Sequence, residues 1–236
     1  MIKNKTALIT GSSSGIGKEI AIQLAKQDIM VCINYSKSAD DARQVKKIIE
    51  KEGGKAVLFK ADVSKEKDIE KMFIFLKEEF GKLDYLINNA GINVAKNFEK
   101  YSTVDWSRIM NINLTGKYLC TQYATPLLKK SENPRIINIA SRFGRKPDDE
   151  IPAYCCAEAG VLMLTKVSAL GLAKYGIKVN TISPGLTRTS LTEKICSQEE
   201  FDTYVESNPS KEGRASRGYR KCRFIFDIRS GRFYKW

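Results

Sequence analysis

Short runs of apolar residues alternate with longer stretches of helical periodicity through the first 190 residues. The first pair is TALIT, residues 6–10, followed by a stretch in which Ile16, Ile20 and Leu24 recur at helical spacing. Strands that are apolar almost throughout and separated by helices are typical of a parallel sheet covered on both faces. The alternation predicts further strands in 29–34, 55–61, 83–91, 135–141 and 177–185, and further helices in 39–52, around 69–76, in 104–128 and in 153–175. The chain is therefore predicted to be a single α/β domain with a doubly wound parallel sheet of the Rossmann type.

The composition narrows the class of protein without identifying it. No basic-then-apolar leader and no run of about 18 apolar residues is visible, so we expect a soluble, cytoplasmic protein with no membrane partner. Six cysteines lie scattered without CxxC spacing and are expected to be reduced thiols. Histidine is absent, which excludes Ser-His-Asp and Cys-His catalysis and any metal site built on imidazoles. No metal is expected.

The net charge of +13 is unevenly distributed along the chain. Residues 211–236 hold nine lysines and arginines against Glu212 and Asp227, a net of +7, which leaves +6 for the first 210 residues. A strongly basic protein raises nucleic acid as a partner, but here the excess is concentrated at one end. The chain is thus divided into residues 1–210, which carry the α/β pattern, and an atypical basic tail at 211–236.

A glycine-rich segment follows the first predicted strand. TGSSSGIG, residues 10–17, brings three glycines to the start of the first predicted helix. Glycines permit a tight turn and a close approach of the backbone, and the free N–H groups of a helix N-terminus bind phosphate. A lone glycine-rich loop is often only a turn, but this position in an α/β chain indicates a dinucleotide site. The candidate cofactor-binding residues here are Thr10, Gly11, Ser13, Ser14, Gly15, Ile16 and Gly17.

The spacing TGxxxGxG resembles that of the short-chain dehydrogenase/reductase family, and further segments match in the family's order. These are KADVS with Asp62, NNAG at 88–91, NINLTG with Asn113, INIAS with Ser141, and SPGLTRT at 183–189. Each segment alone could be a loop or a helix cap. Together they resemble the branch of 3-oxoacyl-[acyl-carrier-protein] reductases and glucose dehydrogenases, over about residues 1–210. The resemblance implies further cofactor contacts from Asp62, Val63, Asn89, Ala90, Gly91, Pro184, Gly185 and Thr187.

The resemblance also implies a reaction, the transfer of a hydride between nicotinamide and a carbonyl or secondary alcohol. Tyr154 is implied as the general acid or base, Ser141 as the hydrogen-bond partner of the substrate oxygen, and Asn113 as a member of the proton relay. The family has a lysine four residues after the tyrosine, where it lowers the tyrosine pKa, but this chain has Glu158. Because residues four apart share one helix face, the carboxylate is predicted to raise the pKa of Tyr154 instead.

Glu158 leads to two expectations about activity. The chain is expected to be an impaired oxidoreductase, slower by about 100-fold, and Glu158→Lys is expected to raise kcat by roughly several hundredfold. Glu158 can still accept hydrogen bonds from ribose hydroxyls. The alternatives are a catalytically inactive dinucleotide-binding pseudoenzyme and the product of a decayed gene.

The end of the second predicted strand, CINYSKS, bears on the choice of cofactor. An acidic residue there would favour NAD, whereas Asn34, Ser36, Lys37 and Ser38 suit a 2′-phosphate. NADP is therefore expected rather than NAD. The alternative for Lys37 is a surface lysine that only aids solubility, and relatives with similar loops use both cofactors.

The basic tail does not match the family's ending, so the last helix and strand of the family are expected to be missing. Codons can be chosen for residues 213–236 so that the same nucleotides, read one base later, encode EEPVEDIENVVLYLISDQEDFING, which resembles the missing ending. A single-base frameshift near residues 211–213 is therefore the hypothesis for the tail, and nucleic-acid binding is not expected.

A family-type homotetramer is expected, although the altered ending puts its interface in question. The substrate, a small carbonyl or alcohol, is not readable from residues 187–210.

Overall fold

A parallel six-stranded sheet forms the centre of the protein, with helices on both faces. The computed structural model describes residues 5–187, 189, 192, 197–207, 226–227 and 232–233. The strands of the sheet are Lys5–Ile9 (β1), Ile29–Tyr35 (β2), Ala56–Lys60 (β3), Tyr85–Asn88 (β4), Arg135–Ile139 (β5) and Lys178–Ile182 (β6). The helices are Gly15–Ala25 (α1), Ala39–Lys51 (α2), Glu66–Phe80 (α3), Thr103–Ile109 (α4), Gly116–Leu128 (α5), Pro152–Leu172 (α6) and Gln198–Ser207 (α7). The predicted doubly wound parallel sheet is confirmed.

The strand order is β3-β2-β1-β4-β5-β6, so the chain changes winding direction between β1 and β4. Ala7 of β1 lies opposite Val31 of β2 on one side and Tyr85 of β4 on the other. In open α/β sheets the crevice at the carboxyl ends of the strands beside such a switch point is where ligands bind. The glycine-rich segment follows β1 and the NNAG segment follows β4, so both lie at this crevice.

Two apolar layers cover the faces of the sheet. Ala7 and Ile9 of β1 face the layer that includes residues of α1 and α2, whereas Leu8 faces the layer that includes residues of α3 and α5. Ala7, Leu8 and Ile9 are fully buried. Because both faces of this part of β1 are covered, these residues are continuously apolar rather than alternating with polar ones.

The predicted helix over 104–128 is not one regular α-helix. It divides into α4 and α5, with a π-helical turn at Met110–Thr115 between them. A π-helical turn changes the winding of a helix only locally, so the spacing of hydrophobic residues does not distinguish it from an α-helix. Such turns are frequent at functional sites. Asn113 lies within this turn.

The helix α6 is confirmed, and it begins with Pro152 in the first turn, where proline is favoured. By length and composition alone, Pro152–Tyr175 would suffice to cross a membrane. Ala153, Ala157 and Val161 on one of its faces are fully buried within the protein, which is typical of a helix packed on a core.

The C-terminal part of the chain is described only in short pieces. Phe226–Asp227 (β7) and Arg232–Phe233 (β8) pair as a small antiparallel sheet. In the described part of the chain, β6 is an edge of the large sheet and no seventh strand pairs with it. Most of the basic tail, with the proposed frameshift point at 211–213, lies outside the described residues. So do Cys196 and Cys222, whereas Cys32, Cys120, Cys155 and Cys156 are free thiols.

Candidate active site

The loop between β1 and α1 requires glycine at two positions for different reasons. Gly11 has φ +61° and a Cβ there would lie 2.9 Å from the Cα of Ala90, so both the backbone conformation and the close approach exclude a side chain. At Gly17 the reason is space alone, because a Cβ would lie 2.5 Å from Nδ2 of Asn89. The loop therefore packs directly against the segment that follows β4.

Hydrogen bonds hold these two segments together. Thr10 Oγ1 accepts from the backbone N–H groups of Asn89 (2.9 Å) and Ala90 (3.0 Å). Asn89 Nδ2 in turn donates to the carbonyls of Thr10 (2.9 Å) and Gly11 (3.0 Å). Thr10 and Asn89 thus shape the crevice by binding backbone.

A cavity of about 490 Å³ runs along the carboxyl edge of the sheet from the glycine loop to Tyr154. Thr10 and Gly17 are not among its lining residues, because Thr10 is buried behind the loop and Gly17 faces Asn89. The sequence-predicted residues that line it are Gly11, Ser13, Ser14, Gly15, Ile16, Asn34, Ser36, Lys37, Asp62, Val63, Asn89, Ala90, Gly91, Asn113, Ser141, Tyr154, Glu158, Pro184, Gly185 and Thr187.

The four residues at the end of β2 that were predicted to suit a 2′-phosphate differ in burial. The Asn34 side chain is buried, its Oδ1 accepts from the N–H of Gly11 (3.1 Å), and its Nδ2 donates to the carbonyl of Ala61 (3.0 Å). This side chain therefore ties the glycine loop to the segment that follows β3. Ser36, Lys37 and Ser38 are exposed at the rim of the cavity.

The side chain of Asn113 is completely buried and fully bonded. Its Oδ1 accepts from the N–H of Ile92 (2.9 Å), and its Nδ2 donates to the carbonyl of Ile92 (3.0 Å) and to Oε1 of Glu158 (3.0 Å). The π-helical turn brings this amide between the segment after β4 and helix α6. Asn113 therefore links the backbone of one wall to the carboxylate of the other.

Tyr154 lies in the first turn of α6, and Ser141 follows β5. The ring of Phe143 packs edge-on against that of Tyr154, with centroids 6.3 Å apart. Burial raises the pKa of Tyr154, the negative charge of Glu158 raises it further, and the Ser141 hydroxyl partly opposes both. Burial was not part of the sequence argument, and it is the larger cause.

Glu158 is only 2% exposed, and its Oε2 has no hydrogen-bond partner. Burial raises the pKa of this carboxyl, while Lys117 and the hydrogen bond from Asn113 act in the opposite direction. An unbonded buried carboxylate oxygen costs free energy of about 1–3 kcal/mol or more. A donor supplied by a ligand in the cavity would remove that cost.

Lys117 is a site residue that the sequence reasoning missed. It lies one helical turn after Asn113, is 3% exposed, and donates from Nζ to the carbonyl of Ala90 at 2.9 Å. Burial lowers its pKa, and the negative charge of Glu158 opposes that change. Its spacing from Asn113 was the available signal, since residues four apart share a helix face.

Comparison with known proteins identifies the family. The family model described as short chain dehydrogenase matches residues 5–200, which include every element that lines the cavity. The chain belongs to this family. Short-chain dehydrogenases are oxidoreductases, and the resemblance noted in the sequence is confirmed.

Two relatives align with most of this chain. It is 35% identical over 208 residues to 3-oxoacyl-[acyl-carrier-protein] reductase of Staphylococcus epidermidis, covering 88% of this chain and 85% of that protein. It is 34% identical over 212 residues to glucose 1-dehydrogenase 2 of Bacillus subtilis, covering 89% and 82%.

Solved short-chain dehydrogenases have the same fold. A dehydrogenase/reductase from Sinorhizobium meliloti 1021 superposes with a TM-score of 0.78 at 34% identity, covering 80% of this chain and 75% of that one. A short chain dehydrogenase from Burkholderia cenocepacia J2315, solved in complex with NADP, superposes with a TM-score of 0.77 at 33% identity, covering 80% and 77%.

Proposed function

We propose that this short-chain dehydrogenase is an NAD(P)-dependent oxidoreductase, acting on a small carbonyl or secondary alcohol and slowed by Glu158. The observation that carries the proposal is one continuous cavity that joins the N-terminus of α1 to Tyr154 and Ser141. The first end suits a pyrophosphate, and the second provides the acid–base group that a carbonyl or alcohol oxygen needs.

The residues present fit a nicotinamide dinucleotide. Gly11 and Gly15 leave the space that a Cβ would fill, and the exposed Lys37 suits a 2′-phosphate. At the other end, the unbonded Oε2 of Glu158 would accept from a ribose hydroxyl. Asp62 and Val63 would border the adenine, and Pro184, Gly185 and Thr187 the nicotinamide. We favour NADP over NAD, which the relative solved with NADP supports.

When bound, the nicotinamide supplies or accepts the hydride, and this chain's own residues handle the proton. Tyr154 would donate its phenolic proton to a carbonyl oxygen during reduction and accept a proton during oxidation, while Ser141 hydrogen-bonds that oxygen. Since the pKa of Tyr154 is raised, the phenol stays protonated at neutral pH. The site is therefore better suited to reduction than to oxidation, and we expect turnover to be slowed by about 100-fold because the group one turn after Tyr154 does not stabilise its ionised form.

A dinucleotide-binding protein without turnover is the second candidate. Glu158 favours it, because a carboxylate does not stabilise the tyrosinate form of Tyr154. The product of a decayed gene would share this residue and the altered tail. Both candidates are proposed to be cytoplasmic and to bind neither nucleic acid nor membrane.

Fluorescence titration of the purified protein with NADPH and with NADH, followed by turnover assays on a panel of ketones and alcohols, tests these candidates. Saturable binding at micromolar concentration with slow reduction supports the oxidoreductase. Binding without reduction of any carbonyl supports the second candidate. No binding by a folded protein contradicts both.

A further inference from the structure

Two buried charged side chains face the cavity from different helices. Among the buried charged residues that the structure describes, Lys117 of α5 and Glu158 of α6 are the two that line it. Moving a lone ion into a protein interior costs several kcal/mol, and an opposite charge nearby lowers that cost. Each of these side chains is therefore electrostatically dependent on the other.

Asn113 and the segment after β4 join the two charges into one unit. Glu158 Oε1 accepts from Asn113 Nδ2 at 3.0 Å, and Asn113 also bonds the backbone of Ile92. One turn further along, Lys117 Nζ bonds the carbonyl of Ala90 at 2.9 Å. The ammonium and the carboxylate are thus held by the same short stretch of backbone, without touching each other directly.

We propose that Lys117 is a positioning residue that supplies the buried positive charge of this site from α5 and serves as the counter-ion of Glu158. Relative to the family pattern, the cation is carried one turn after Asn113 instead of one turn after Tyr154. The electrostatic pairing stands by itself, whereas its effect on turnover rests on the proposed function.

The pairing revises the sequence-based expectation for Glu158→Lys. A lysine at 158 would be buried in the same cavity as Lys117, so two ammonium groups would face each other across Asn113. Like charges disfavour ionisation and packing in a buried site. Glu158→Lys alone is therefore expected to destabilise the protein, and the gain in kcat requires Lys117→Met as well.

A double-mutant cycle on the ligand-free protein tests the pairing. Lys117→Met and Glu158→Gln approximately preserve side-chain volume, and urea denaturation of both single variants and the double variant gives their coupling. We expect the double variant to be more stable than the two single losses predict, by at least tenfold in the unfolding equilibrium constant, about 1.4 kcal/mol. Lys77→Met, at an exposed lysine of α3, serves as the matched control and is expected to show no coupling with Glu158→Gln. Additive losses at 117 and 158 would overturn the proposal.

A second pair of variants keeps the test decisive if a single variant fails to fold. Glu158→Lys is compared with Lys117→Met/Glu158→Lys by thermal unfolding, by NADPH titration and by turnover. A higher unfolding temperature and at least tenfold higher kcat for the double variant, with the KM for NADPH unchanged within about twofold, support the proposal. The proposal is overturned if Glu158→Lys and Lys117→Met/Glu158→Lys have the same unfolding temperature, or if neither of the two variants folds. Absence of NADPH binding by every folded variant contradicts the proposed function and leaves the stability cycle to decide the pairing.

Discussion

Tyr154 shows how one neighbouring residue changes the chemistry of a site whose other parts are in place. Ser141 and Asn113 line the same cavity as Tyr154, but burial and Glu158 both raise the pKa of the phenol. The proposed acid–base residue is therefore held in its protonated form. We expect the consequence in the pH dependence of the rate.

We predict that alcohol oxidation by this protein rises with pH by about tenfold per unit and does not level off below about pH 10. Oxidation needs the ionised phenol, and a raised pKa of Tyr154 means that its ionised fraction keeps growing through that range. Steady-state kcat measured from neutral to alkaline pH gives the profile. Glu158→Gln removes one cause of the shift, so its profile should move to lower pH. A plateau near pH 8 in the unmodified protein would contradict the argument.

A second residue-scale prediction concerns the 2′-phosphate. Lys37 is exposed at the rim of the cavity, where one ion pair with a phosphate is worth on the order of 1 kcal/mol. Lys37→Glu should weaken NADPH binding by about tenfold and leave NADH binding unchanged within about twofold, as measured by fluorescence titration. Lys77→Glu, at an exposed lysine outside the cavity, is the control and should change neither. An unaltered NADPH dissociation constant for Lys37→Glu would leave Lys37 as a solubility residue.

At the scale of elements, the glycine loop and the π-helical turn position the site. The loop packs on the backbone after β4, and the turn brings Asn113 between that backbone and α6. The turn also packs Met110, Ile112 and Leu114 against the apolar clusters. Each element places polar groups at the site, and substitutions of those groups are expected to affect ligand binding more than the fold.

Two glycine substitutions compare a position that constrains the site with one that does not. Gly11→Ala should destabilise the protein by about 1–3 kcal/mol and abolish NADPH binding, because φ is +61° and the new Cβ would contact the backbone of Ala90. Gly171→Ala in α6 meets no atom within 4 Å and should stabilise the protein by about 0.5–1 kcal/mol. Urea denaturation and NADPH titration measure both. Equal effects of the two substitutions would mean that the loop does not constrain the site as described.

At the scale of the whole molecule, α6 leaves an apolar stripe on the surface. Met163, Val167 and Leu170 recur at helical spacing and are 57%, 58% and 82% exposed. A contiguous exposed apolar stripe is typical of a protein–protein interface. We expect it to pair with a second copy of the chain, in keeping with the homotetramer that the resemblance implied.

Light scattering after size-exclusion chromatography tests this assembly. Val167→Glu/Leu170→Glu should yield a monomer while the unmodified protein is a dimer or tetramer, because buried unpaired carboxylates oppose association. Ile74→Glu is the control, since Ile74 is 52% exposed on α3, outside the stripe. A monomeric unmodified protein would refute the expectation, and so would a variant with unchanged mass.

The C-terminal tail carries the other prediction at this scale. We propose that residues 213–236 arose by a single-base frameshift, so that the coding DNA read one base later encodes the family-like ending. Replacing these residues by that ending should cover the edge of β6 and raise the unfolding temperature by about 5 °C or more. DNA sequencing and thermal unfolding measure the two parts. Codon choices that do not yield the ending would end the hypothesis.

The sequence by itself determined the order and type of the elements from β1 to β6, apart from the division of the helix predicted at 104–128, together with the glycine loop and the presence of Asn113, Ser141, Tyr154 and Glu158. These follow from local spacing, because the hydrophobic period reports the winding of each element and motifs are contiguous in the chain. It also indicated that Glu158 opposes ionisation of Tyr154, because residues four apart lie on the same face of an α-helix.

Only the tertiary structure decided three features of the site. The amide of Asn34 bonds the glycine loop, the π-helical turn directs Asn113 toward Glu158, and Lys117 is buried in the same cavity as that carboxylate. Each depends on contacts between residues more than 20 positions apart, which no local period encodes. The electrostatic partner of Glu158 is set by how α5 and α6 pack around one stretch of backbone, and for that reason it became visible only in three dimensions.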